Sequence, residues 1–261
     1  MKPSGDKSKR SNKGKQAPSV SRKWKRFWGV SCSHARHVDR SAWQAMLKAK
    51  EAFAPQFTFH LGDFIDTTGW RSGARNADLA DDYRGDISTG LTHLEQLEPQ
   101  LILCGNHEAR LWRELSNKDG RIAGLADELI CHIRKHATRW GAEFVEYDGI
   151  FQGRMLGDFC LTHGTLYNQM AARDMAEAVG NVIFGHTHTA AIQQARGMNQ
   201  AMGVNIGTLT CKHAMDYANC RRQTLAWRQA WVFGEYCDNK LIPNLHIHAN
   251  EPIEFPKAKA A

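Results

Sequence analysis

Apolar residues in this chain fall into short blocks that stop at a glycine or a polar group, and several of these blocks precede a stretch with helical periodicity. Residues 101–104 (Leu-Ile-Leu-Cys) end at Gly105 and lead into Asn106, His107, Glu108 and Arg110; a helical pattern then covers 111–136, with a break near Gly120. The habit recurs. Residues 26–32 run into Ser33 and His34, and 57–61 end in Gly62-Asp63-Phe64-Ile65-Asp66. Further on, 159–162 end at His163, and 181–184 end in Gly185-His186-Thr187-His188. Helices are predicted over 39–54, where Trp43, Met46, Leu47 and Phe53 keep helical spacing ahead of Pro55, and over 81–97 and 170–179. Strands are predicted over 202–206, 224–236 and 241–248, and residues 144–147 with 150–152 read as a hairpin. Strands that alternate with helices and carry polar clusters at their C-terminal ends imply a layered α/β fold with its site along one sheet edge.

A chain of 261 residues without an internal linker is expected to form one domain, over residues 24–250, between tails at 1–23 and 251–261. The net charge of +7 is unevenly placed. Residues 1–26 hold ten of the 34 Lys and Arg and one of the 27 acids, Asp6, so the rest carries 24 basic against 26 acidic residues. The basicity is therefore a tail, rich in Ser, Gly and Lys, whose composition buries too little to order itself. Such an arm can hold nucleic acid without sequence preference, or serve only to solubilise the chain. Seven scattered cysteines lack the spacing of a disulfide framework, which points to a reducing, cytoplasmic compartment. No apolar run reaches the ~20 residues of a membrane span, so a soluble protein with no membrane partner is expected.

The strand ends offer Cys32 and His34, Asp63 and Asp66, Asn106 and His107, His163, and His186 with His188. Imidazoles, carboxylates, an amide and a thiol form a donor set suited to two borderline divalent metals, and a carboxylate such as Asp63 can bridge them. Glycines before Asp63, Asn106 and His186 are expected to let the turns bend sharply and converge.

These motifs resemble those of the calcineurin-like metallophosphoesterase family. Its pattern is Asp-x-His, Gly-Asp-x-x-Asp, Gly-Asn-His-Asp/Glu, a lone His and Gly-His-x-His. Here it is met by Cys32-Ser33-His34, Gly62-Asp63-Phe64-Ile65-Asp66, Gly105-Asn106-His107-Glu108, His163 and Gly185-His186-Thr187-His188. The resemblance implies a four-layer αββα sandwich of two mixed sheets. One metal would be held by Cys32, His34, Asp63 and His188, and the other by Asp63, Asn106, His163 and His186. It also implies phosphoester hydrolysis by metal-bound hydroxide, with His107 beside the scissile phosphate and oriented by Asp66. Cys32 stands where the family has Asp; a single soft sulfur there favours Mn, Zn or Fe over Mg, or else leaves a weakened first site.

The expected substrate is a phosphodiester of nucleic acid or a nucleotide, given the basic arm. A phosphomonoester or phosphoprotein is the alternative. The Glu of Gly-Asn-His-Glu resembles protein phosphatases, but Thr67 stands where they place Arg. A noncatalytic binding module is the reading from another class. Arg110, Arg71, Arg75 and His37 are candidate substrate contacts. Cys211, His213 and Cys220 are too poorly spaced for another zinc site. Trp227 and Trp231 are expected to share one face of a strand as packing, with His246 and His248 on a half-exposed strand.

Overall fold

In strand β1 (Lys25–Val30) the side chains alternate across the sheet: Phe27 enters one apolar cluster while Trp28 and Val30 enter another. That two-sided burial sets the architecture, because a strand apolar on both faces must be covered on both. The protein, a computed structural model, is described over residues 23–71, 82–149, 152–198, 200–211, 215 and 222–249. The basic tail up to residue 22, residues 250–261, Arg75, His213 and Cys220 lie outside the described residues.

The first sheet also contains β2 (Phe57–His60), β3 (Leu101–Leu103), β4 (Glu143–Val145), β10 (Ala230–Cys237) and β11 (Lys240–Ile247), in the order β11-β10-β1-β2-β3-β4. β1 to β4 pair in parallel, and β10 runs antiparallel to β1. The second sheet contains β5 (Arg154–Leu156), β6 (Phe159–Leu161), β7 (Val182–Phe184), β8 (Ala190–Gln194) and β9 (Met202–Ile206), in the order β5-β6-β7-β9-β8. Phe27, Phe59, Leu61, Leu101 and Leu103 from the first sheet meet Leu161, Ile183, Val204 and Ile206 from the second in the central core.

Helices cover the outer faces. Against the first sheet lie α1 (Arg40–Phe53), through Ala42, Trp43 and Met46 on Trp28 and Trp231, and α2 (Tyr83–Leu97) with α4 (Gly120–Arg139), around Ile102. The helix α5 (Ala171–Val179) lies on Val182 and Phe184 of the second sheet. This is the expected αββα sandwich. Asp39, Asp82 and Asp119 cap α1, α2 and α4 by accepting from Ala42 N, Gly85 N and Arg121 N at 3.0, 3.0 and 2.9 Å. Residues 111–136 divide into α3 (Glu108–Glu114) and α4, as the break near Gly120 implied.

The hairpin expected from 144–147 with 150–152 is not seen among the described residues. β4 joins the first sheet beside β3, and the next strand, β5, belongs to the second sheet and pairs with β6 around Gly157. Residues 150–151 lie outside the described residues. β8 escaped the sequence reading because Ala-Ala-Ile-Gln-Gln shows no alternation. Residues 222–226 form a 3-10 turn ahead of β10, so Trp227 is not on a strand shared with Trp231. No helix among the described residues is long and apolar enough to cross a membrane.

Candidate metal centre

Each parallel strand β1, β2, β3, β6 and β7 ends in a turn that carries polar residues to one edge of the sandwich. The turns are laced together by main-chain bonds: Cys32 N donates to Gly62 O (2.9 Å), His34 N to Asp63 O (2.9 Å) and Gly185 N to His163 O (3.1 Å). Cys32, His34, Asp63, His186 and His188 all have φ between 48° and 65°, the left-handed region. For residues with a Cβ that conformation costs roughly 1–3 kcal/mol each, and it persists only where the surroundings impose it. Of the three turn glycines, only Gly62 needs a positive φ, +94°. Gly105 and Gly185 instead permit close approach, because a Cβ would strike the Asp63 carboxylate at the first and the Ser31 side chain at the second.

Two donor groups meet at Asp63. Ligand atoms of Cys32, His34, Asp63 and His188 lie within 4.8 Å of one another, and so do those of Asp63, His163 and His186. Asp63 Oδ2 stands 3.3 Å from His163 Nε2 and 3.8 Å from His34 Nε2, so one oxygen faces both groups, while Oδ1 accepts from His107 N at 3.0 Å. Asn106 Oδ1 joins the second group, 2.8 Å from His186 Nδ1 and 3.1 Å from His163 Nε2.

The donors suit cations. His163 Nδ1 is 2.6 Å from Leu61 O and His34 Nδ1 is 3.0 Å from Asp66 Oδ1, so both rings turn the Nε2 lone pair toward the cluster. His34 Nε2 then faces His188 Nε2 at 3.0 Å, and the buried His188 Nδ1 has no hydrogen-bond partner among the described residues. A divalent ion held by these residues would take both Nε2 lone pairs in place of a shared proton. Burial, joined by neighbouring imidazoles, pushes His34 and His186 down to about 4, and burial with nearby His34 pushes His188 down as well; all three are neutral ligands at neutral pH. Asp63 is held well below the usual carboxylate range because His163 and His107 outweigh its burial. Cys32 is fully buried, and burial followed by nearby Asp63 raises its thiol. A thiolate there needs a cation, although His186 N already donates to Sγ at 3.2 Å and Ser31 Oγ lies 3.2 Å away. The donor set fits divalent ions.

His34, Asp66 and His107 form a third group. His107 Nδ1 lies 2.6 Å from Asp66 O and 3.1 Å from Asp66 Oδ1. Burial lowers His107, but Asp63 and Asp66 outweigh it and raise the imidazole overall. Arg110 donates from Nη1 to Asp66 O (2.7 Å), with Nη2 3.1 Å from His107 Nε2. His37 Nε2 is 3.6 Å from Asp66 Oδ2. Arg71 follows a 3-10 turn over Thr68–Trp70 in the loop after Asp66. His246 lies in β11 and is half-buried against Trp231, with His248 just beyond the strand.

Sequence reasoning missed the supports. The fully buried Glu108 accepts from Asp63 N (2.8 Å), Ile65 N (3.0 Å) and Gly105 N, binding the β2 turn to the β3 turn. Asp86 on α2 accepts from Asp66 N (2.9 Å) and Thr67 N (3.0 Å). Thr187, between the two histidines of the β7 turn, receives the Asn205 amide on Oγ1. Trp227 lies edge-on to His188, with ring centroids 4.2 Å apart. Glu108 could have been found by asking what accepts the amide protons of two glycine turns; nothing in the sequence marks Asp86.

No curated protein matches the sequence. Among solved structures, the chain is similar to an archaeal phosphodiesterase, with 14% identity over 85% of this chain and 99% of that one and a TM-score of 0.45. It is also similar to the phosphoesterase YfcE of E. coli, with 16% identity over 80% of this chain and 87% of that one and a TM-score of 0.38. For vacuolar protein sorting 29 of Cryptosporidium parvum the values are 11% identity, 86% and 97%, and 0.41. The sequence profile of the calcineurin-like phosphoesterase family matches residues 25–190, which take in every turn that brings a donor to Asp63. On that match, over more than half its length, the chain belongs to the calcineurin-like phosphoesterase family and is a metallophosphoesterase.

Proposed function

We propose that the protein is a phosphodiesterase of nucleic acid or nucleotides that works with two divalent ions. The observation that carries this reading is Asp63 Oδ2, which faces histidines of both donor groups. Cys32, His34, Asp63 and His188 would hold one ion, and Asp63, Asn106, His163 and His186 the other. When bound, such ions lower the pKa of water and offset charge on phosphoryl oxygens.

The chain's own groups supply the rest. As water attacks phosphorus and loses its proton to solvent, and the bond to the leaving oxygen breaks, His107 would give an Nε2 proton to that oxygen, the Arg110 guanidinium having turned from Nε2 to the phosphate. The Nδ1 contacts with Asp66 fix the ring, and Asp63 with Asp66 favours its protonated form. Arg110, anchored on the Asp66 and Thr67 carbonyls, presents Nη2 beside His107 to a phosphate oxygen. His37 and Arg71 are lesser candidates for the same substrate. The protein phosphatase reading loses ground at Thr67, which is buried and donates to His107 O at 2.8 Å in place of a guanidinium. The basic arm, by its charge, would raise the local concentration of nucleic acid.

The test is hydrolysis of bis(p-nitrophenyl) phosphate and of p-nitrophenyl phosphate by metal-stripped protein reloaded separately with Mn, Zn, Fe(II) or Mg, with bound metal counted. Two ions per chain and faster diester cleavage are expected. Faster monoester cleavage would make it a monoesterase, and a folded, loaded but inactive protein would make it a binding module.

A further inference from the structure

Trp227 is the one large aromatic among the described residues that the fold places directly against a histidine of the first donor group, yet neither the donor set nor the His107 relay uses it. Its place is built. Trp227 N donates to Thr224 O (3.3 Å), Arg228 N donates to His188 O (3.0 Å), and a β-bridge joins Trp227 to Thr189, so the indole is tied to the turn that carries His188. It is half-buried, whereas His188 beside it is 4% exposed, so the indole packs on His188 and keeps surface open to solvent. Two residues earlier Leu225 is 66% exposed, and Tyr167, four residues after His163, is 73% exposed. Across the cluster Tyr147, also half-buried, stands edge-on to His163 with ring centroids 6.0 Å apart.

The rim therefore has two characters. On the Asp66 side it carries His107, Arg110 and His37, which are donors for phosphate. On the His188 and His163 side it carries Trp227 and Tyr147, flat rings with no charge to offer. An open aromatic face beside a polar donor cluster offers a stacking platform, and a ring joined to phosphate by a short linker is the ligand that uses both sides.

We propose that Trp227 is a stacking wall for a nucleobase carried by the substrate, so that the site selects nucleoside phosphodiesters over aliphatic ones. This rests on the phosphodiesterase reading and narrows its substrate class. A lipid or peptide ester would call for a longer apolar groove or an amide-binding edge, and would leave the aromatic pair without a ring to meet.

The experiment compares thymidine 5′-(p-nitrophenyl phosphate) with methyl p-nitrophenyl phosphate, which share leaving group and scissile bond and differ in the nucleoside. It uses manganese-loaded parent, Trp227→Leu and Trp227→Phe proteins. The parent should prefer the nucleoside ester, and Trp227→Leu should lose roughly tenfold or more of that preference, chiefly through KM. Trp227→Phe should keep most of it, and all three should turn over the methyl ester alike. A preference equal in parent and Trp227→Leu, or an equal loss on both esters, would overturn the wall and leave Trp227 as a support for His188. Calorimetric binding of AMP against inorganic phosphate separates this from the wider reading. If no diester is cleaved, the phosphodiesterase reading falls, while tighter AMP binding by the parent than by Trp227→Leu still sustains the wall and equal binding removes it.

Discussion

The two halves of the candidate centre are built on different supports. On the first-sheet side, Asp63, His34 and His107 are braced by buried carboxylates: Asp66 against the two imidazoles, Glu108 under three main-chain amides and Asp86 under two. On the second-sheet side, the turns that carry His163, His186 and His188 are braced by neutral groups: the Leu61 carbonyl on His163, and the Thr187 hydroxyl with Asn205 between His186 and His188. The difference follows from what must be satisfied. The buried main-chain amides of the β2 and β3 turns need side-chain acceptors with several lone pairs, whereas a neutral imidazole needs only one acceptor to set its tautomer. Removing a carboxylate support strands several buried amides at once; removing the Thr187 hydroxyl leaves the Asn205 amide with Thr189 Oγ1 at 3.1 Å still to receive it.

That contrast can be broken by mutation. The largest effect is expected at the shared residue. Asp63→Asn should abolish stoichiometric binding at both sites and cut turnover by roughly a thousandfold or more, read by metal analysis and kinetics; retention of two ions per chain would mean that the halves do not meet at Asp63. Next, His107→Ala should lower kcat by about 10²–10⁴ with metal content unchanged, and, because the ring is buried against Asp66, it should lower the thermal midpoint as well. A variant that turns over like the parent would take the relay away from His107.

Smaller effects sharpen the comparison of supports. Glu108→Gln leaves one oxygen for three amides and should cost about 1–3 kcal/mol, while Thr187→Val should cost less than about 1.5 kcal/mol, both from denaturant unfolding of metal-free protein. Equal costs would erase the distinction between the two kinds of bracing. The mildest change in the fold should come from Cys32→Asp, which restores a hard donor. Its loading is expected to move from zinc toward manganese and magnesium, and its zinc uptake to depend less on pH, since a thiol raised by burial must lose its proton to bind. An unaltered metal preference would show that Cys32 Sγ makes no contribution to the first group.

How much could be foreseen varies with locality. The strand-turn units announced themselves because each apolar block and its polar turn are contiguous, as in Leu101–Leu103 running into Gly105, Asn106 and His107. The error at 144–152 has the opposite cause: two adjacent apolar patches look like a hairpin until the sheets decide that β4 belongs beside β3 and β5 beside β6. Trp227 and Trp231 show the same limit. Even spacing places two residues on one face only if both lie on a strand, and the 3-10 turn over Arg222–Ala226 removes that condition.

By itself the amino-acid order determined which chemical groups stand at strand ends and in what succession, since a turn directly following an apolar run is a local matter of glycine and hydrophobic patterning. Only the tertiary structure decided which groups meet. His34 and His188, 154 residues apart, face each other at 3.0 Å because β1 and β7 sit in different sheets whose inner faces share one core. The same packing turns Glu108 and Asp86 from ordinary helix-start acids into the acceptors that hold the β2 turn. Contacts of that range depend on how two sheets bury their apolar faces against each other, a global balance that no short stretch of sequence contains.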